Sequence, residues 1–178
     1  VSVRIVHEEI SRGIKASGNE LGFVSDADIS DDPLILMDIF ADSCRLGVPL
    51  SLEARRQVKR SLHLIDNDFM GSNRARRGFL DIINGKNTVE TLDQMFETGF
   101  LDVYIPEFGA IRDRVQFDAY HIFPVGRHIL ETVANLKNLS KEEDRFLFDT
   151  FKDIRNHEIL FLSGLFHDIG KTGKGHSR

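Results

Sequence analysis

Two neighbours near the end of the chain, His167 and Asp168, are of the types that hold a divalent metal ion. Neutral imidazole and carboxylate are both good ligands for such an ion, and the ion supplies the positive charge that a carboxylate needs once it leaves water. The pair ends an apolar run, LFLSGLF at 160–166, and a break follows at Gly170. At about 100° per residue, Leu160, Phe161, Leu162, Leu165 and Phe166 fall on all sides of a helix, and a helix apolar all round is expected to be buried. A His-Asp pair at its end is costly to bury unless something satisfies it. By itself the dipeptide equally marks a capped helix end or a surface pair. A third ligand is needed, and His128 in PVGRHILETVANL is the candidate. Val125, Ile129, Val133 and Leu136 recur there at helical spacing, with Pro124 suited to a first turn. His128 borders this stripe and can face inward beside the core. Alone it reads as a half-buried structural histidine; with a buried His-Asp pair downstream it reads as a ligand.

The tail from Gly170 to Arg178 is glycine-rich and cationic. Its backbone can approach a phosphate, and Lys171 can neutralise one. The spacing of a Walker loop is absent.

His128 followed by His167-Asp168 in LFHDIGK resembles the HD superfamily of metal-dependent phosphohydrolases. Further segments narrow the likeness: IPEFGAI at 105–111, FDAYHIFPVGRH at 117–128, and LFHDIGK followed by GHS at 175–177. These resemble the bacterial bifunctional uridylyltransferase/uridylyl-removing enzymes that act on the PII nitrogen-signalling protein. The likeness covers most of the chain and is weaker over 13–78. It implies a divalent metal, Mn or Mg, held by His128, His167 and Asp168. Asp168 and Lys171 would serve catalysis, and His121, Lys171 and His176 would meet the substrate. His121 precedes the ligand histidine in that family too, and Pro124 argues against one helix running through both. The implied reaction is hydrolysis of a uridylyl group from a tyrosine of PII, releasing UMP. The opposing transfer from UTP belongs to a separate domain, and glutamine sensing to C-terminal ACT domains. Neither is expected here; no segment carries the transferase's Gly-Ser and paired-Asp signature.

One departure bears on the site. HD sites use a further Asp on a later helix, and Asp144, Asp149 and Asp153 all precede the pair and cannot be carried onto it. The site is therefore expected to be incomplete and to show little or no catalysis alone. Two alternatives stand beside this reading. One is an HD hydrolase of a free nucleotide such as a guanosine polyphosphate, which would turn over small nucleotides without PII. The other is a catalytically inactive HD interaction module.

Composition bounds the class. The chain has 178 residues, 41% hydrophobic, enough for one large domain or two small ones. Fourteen Phe against two Tyr and no Trp point to interior aromatics. A net charge of -5 argues against nucleic-acid binding. The single cysteine, Cys44, allows no internal disulfide and fits a reducing cytosol, so a cytoplasmic location is expected. No apolar run approaches about 20 residues, so neither a membrane span nor a signal peptide is expected. Both ends have the look of a fragment's.

The elements that must position the ligands read as follows. Residues 1–32 form a linker leaving an upstream domain, with a short β-hairpin around the turn Ser17-Gly18-Asn19. Asp26, Asp28, Asp31 and Asp32 read as a solvated acidic and capping group. Residues 33–115 form a helical module. Its helices are expected over 33–47 with Asp32 as cap, over 51–65 with Ser51 as cap, over 72–83 with Ser72 as cap, from Thr88 to near Gly99, and over 100–104. Arg55, Arg56, Lys59 and Arg60 read as a solvated face, and Cys44 as core. The module is expected to act as a spacer and packing partner, with a homodimer contact as a further role. Residues 116–178 form the incomplete HD domain. A charged amphipathic helix over 140–156, with Leu147, Phe148, Phe151 and Ile154 inward, leads to Asn156, a cap for the helix that carries the pair. His157 lies about 15 Å from His167 along that helix and is excluded from the site. The fold class expected is all-α.

Overall fold

The computed structural model describes residues 10–114, 124–141 and 145–172. They fall into two compact units, Val1–Tyr104 and Ile105–Arg178.

The first unit opens with the expected hairpin. Strands β1 (Ile14–Ser17) and β2 (Glu20–Phe23) pair antiparallel, with Ile14 opposite Phe23 and Ser17 opposite Glu20. Ile14, Leu21 and Phe23 are buried. Leu21 also holds the approach to the third helix: its N–H donates to Pro49 O at 2.9 Å, and its carbonyl accepts from Ser51 N at 2.8 Å. Helices α1 (Asp26–Asp31), α2 (Ile35–Leu46), α3 (Leu52–Ser61), α4 (Asn67–Gly71), α5 (Asn73–Asn84), α6 (Thr88–Thr98) and α7 (Phe100–Tyr104) follow. Ser51 and Ser72 cap α3 and α5 through their hydroxyls, as the sequence predicts. Gly47 and Gly99 end α2 and α6 in the left-handed conformation, where a Cβ would be strained.

The start of α2 differs from expectation. Leu34 occupies the cap position with no side-chain bond. The Asp32 carboxylate instead accepts from Arg74 at 2.7 Å. Arg74 also binds Asp38 through two hydrogen bonds, so one guanidinium braces the start of α5 against α1 and α2. Burial pushes the Asp38 carboxyl above its ordinary pKa, against the opposing pull of Arg74. The basic face of α3 is solvated as expected, and it pairs with acids that the sequence did not point to, Arg55 with Glu97 at 3.1 Å and Arg60 with Glu53 at 3.0 Å.

Helix α2 is central, with Leu36, Met37, Ile39 and Phe40 fully buried between its neighbours. Cys44 lies in the same core, its thiol donating to Ile82 O at 3.6 Å. A polar tie crosses this interior. Gln94 on α6 accepts from Leu50 N at 2.8 Å and donates to Ser43 Oγ at 3.1 Å. Gln94→Leu would strand the Leu50 N–H in a dry setting, so we expect a loss of about 1–3 kcal/mol in urea unfolding, with helix content unchanged.

The second unit contains α8 (Pro106–Gly109), α9 (Val125–Asn138), α10 (Arg145–Asp153) and α11 (His157–Phe166). Short 3₁₀ turns follow α9 (Leu139–Lys141) and α11 (Ile169–Thr172). Pro124 stands at the cap position of α9 rather than inside its first turn. The first N–H groups of α9 are met from outside the helix: Val125 N donates to Arg114 O at 2.9 Å, and Gly126 N to Arg112 O at 3.0 Å. Asn156 caps α11 as expected, its side-chain oxygen accepting from Ile159 N at 3.3 Å. His157 stacks on Phe151 with ring centroids 4.2 Å apart, and its Nε2 lies 2.9 Å from Phe151 O near the end of α10. That is a structural role.

Two expectations are corrected in this unit. Helix α11 is not buried all round: Phe161, Gly164 and Leu165 are, but Ile159 is 60% and Phe166 37% exposed. On α10, Phe151 is buried while Leu147 is exposed. An apolar composition fixes which faces can be covered, not which are. Among the described residues no helix is long and apolar enough to cross a membrane.

Candidate metal centre

His128 lies in the first turn of α9, where its N–H donates to Pro124 O at 3.1 Å. His167 follows the last residue of α11. The last carbonyls of a helix lack intrahelical partners. One of them, Gly164 O, lies 2.8 Å from His167 Nδ1. A carbonyl only accepts, so Nδ1 carries a proton, and in the neutral imidazole Nε2 keeps its lone pair. Orienting a ligand imidazole through its other nitrogen is the usual support for a metal-binding histidine.

Asp168 comes next and is buried, with 4% of its surface exposed. Its Oδ1 lies 3.4 Å from His167 Nε2, and its Oδ2 lies 3.9 Å from His128 Nε2. The two imidazole rings meet edge to face with centroids 5.4 Å apart. One donor atom from each of the three residues fits within 4.8 Å. The carboxylate forms the floor, and the two partly exposed imidazoles form the mouth.

This donor set fits a divalent cation. Bonds of about 2.0–2.2 Å from one ion to each donor set the donors roughly 3–4 Å apart, as the two His–Asp separations are, and the 4.8 Å span of all three would have to close slightly around an ion. A cation held by both imidazoles would meet the buried carboxylate's charge through lone pairs already turned toward it.

The other sequence-predicted residues are distributed as follows. For Lys171 the structure describes the backbone, within the turn Ile169–Thr172 that directly follows Asp168. His121 and His176 lie outside the described residues, as does Asp144. Asp149 is exposed and faces Arg145 at 3.6 Å. His63, exposed in the first unit, has its Nδ1 2.9 Å from Arg60 O. Sequence reading passed over Gly164, although a glycine inside an apolar helical run is itself a signal of close backbone approach.

Comparison with known proteins agrees with the unit boundary. The family model described as "Uridylyltransferase GlnD third domain" matches residues 15–104, ending where the first unit ends. Along nearly the whole chain the similarity is to curated enzymes. A bifunctional uridylyltransferase/uridylyl-removing enzyme of Ruegeria pomeroyi is 33% identical over 91% of this chain and 18% of its own length. Those of Methylococcus capsulatus and Novosphingobium aromaticivorans are 33% and 29% identical over 80% and 89% of the chain, covering 17% and 18% of their own lengths. The chain thus spans under a fifth of the relatives it matches, and it belongs to the bifunctional uridylyltransferase/uridylyl-removing enzyme family.

Proposed function

We propose that the second unit carries the uridylyl-removing site of its parent enzyme and hydrolyses uridylyl-tyrosine on PII, releasing UMP. The parent would also transfer UMP from UTP to PII through a separate domain. The observation that supports this most directly is the convergence of His128, His167 and Asp168 within 4.8 Å, in a chain of this family. The family resemblance implies Mn²⁺ or Mg²⁺; the carboxylate suits either ion, and imidazole is a more typical ligand of transition metals than of Mg²⁺. When bound, such an ion supplies Lewis-acid polarisation of a phosphoryl oxygen and acidifies water. The chain's own residues do the rest. Asp168 would contribute the negative charge that holds such a cation. The His167 imidazole is held by the Gly164 carbonyl with its lone pair facing the carboxylate. Lys171, three residues past Asp168, is assigned the developing charge on the phosphodiester, and His121 and His176 are assigned to substrate contact.

The test is a calorimetric Mn²⁺ titration of this chain and its His128→Ala variant near neutral pH, followed by assay of uridylylated PII with a chain of the relatives' full length. We expect saturable binding that the substitution weakens at least about tenfold, and UMP release that falls with it. Turnover of a guanosine polyphosphate without PII would replace this reading with that of a nucleotide hydrolase. Folded protein with no turnover in the long chain would make the unit an interaction module.

A further inference from the structure

Gly164 stands where α11 meets α9. A Cβ placed on it would fall 2.5 Å from Leu136 Cδ1, with Thr132 Cγ2 3.8 Å from the same point. Real side chains do not tolerate the first of these distances, so the Leu136 side chain occupies the space that glycine vacates. Each side of this contact is one hydrogen bond from a ligand histidine. On α11, the Gly164 carbonyl takes the His167 Nδ1 proton at 2.8 Å. On α9, the Thr132 hydroxyl donates to the His128 carbonyl at 2.9 Å.

We infer that Gly164 is a positioning residue: its contact with Leu136 and Thr132 sets the separation of α9 and α11, and through it the spacing of His128 and His167. It touches no ligand atom of a bound ion. This inference rests on the metal reading of the site and adds a residue to it. Local propensity pulls the other way. Alanine is a better helix former than glycine, so a purely local account makes Gly164→Ala neutral or stabilising. The added methyl would meet the end of the Leu136 side chain, which must either turn aside or push α11 outward, and the positioning role requires the second.

The experiment compares wild type, Gly164→Ala, Leu136→Ala and the double variant by Mn²⁺ titration, and by crystal structures of the metal-free chains. Gly164→Ala is expected to lower Mn²⁺ affinity about tenfold and to widen the His128–His167 ring separation beyond 5.4 Å. Leu136→Ala alone removes the contact from its other side and is expected to weaken Mn²⁺ binding too, but less than Gly164→Ala does. The double variant, with the crowding relieved, is expected to regain both affinity and spacing. Wild-type affinity and spacing in Gly164→Ala would overturn the inference, as would a double variant that regains neither. If Gly164→Ala does not fold, the double variant alone decides. If wild type binds no Mn²⁺, the metal reading fails, while ring spacing in the metal-free crystals still reports on the positioning.

Discussion

Asp168→Asn is expected to lower Mn²⁺ affinity at least about 100-fold and UMP release by a full-length chain at least about 1,000-fold. Among the three clustered donors Asp168 is the anionic one, and it is 4% exposed. Its amide analogue keeps the shape but removes the charge that holds a cation against the loss of its water. Altering an outer partner of a ligand typically costs 10–100-fold in affinity or activity, so a charged ligand costs more. The two histidines are neutral donors, which places His128→Ala below Asp168→Asn in effect. Unfolding by urea should distinguish lost chemistry from lost fold, since Asn fits the same space and the variant should unfold cooperatively. Wild-type Mn²⁺ affinity in Asp168→Asn would leave the His-Asp pair a structural helix end.

Phe100→Ala is expected to destabilise the first unit by about 3–5 kcal/mol, the range for a fully buried aromatic replaced by alanine. Phe100 opens α7 and has no exposed surface. Its ring lies 5.0 Å from that of Phe40 and 6.1 Å from that of Phe69, and it stacks on Tyr104 at 5.8 Å. Removing it opens a cavity on all of these at once. Urea unfolding followed by circular dichroism measures the loss. Tyr104 gives a second readout: burial holds its hydroxyl above the ordinary pKa, so opening the cluster should bring its ultraviolet titration down toward about 10. A loss under about 1 kcal/mol would mean that this cluster does not anchor the unit.

How much of this was legible depended on how local the cause is. Ser51, Ser72, Gly47 and Gly99 mark helix ends in the sequence because a cap is satisfied within a few residues. Asp32 has the right type to cap α2, but Arg74, 42 residues away in sequence, takes its carboxylate. Helix α4 was missed because five residues are too few to show a period. The ligand types could be read from a His-Asp pair closing an apolar run. Their separations could not, because those depend on how closely α9 and α11 pack. The exposed side of α11 was misjudged for the same reason: Ile159 and Phe166 are as apolar as Phe161 and Leu165, and only the neighbours tell them apart.

The donors of the candidate centre lie at the start of one helix and just past the end of another, with α10 between them in the chain. An ion seated there is a reversible cross-link across that loop. Binding to the folded state alone draws unfolding free energy from the ion's concentration, about 1.4 kcal/mol for each tenfold rise above the dissociation constant. The second unit would therefore be a module whose rigidity is set by the free metal level around it. Its ability to hold a substrate and its resistance to local opening would rise and fall together.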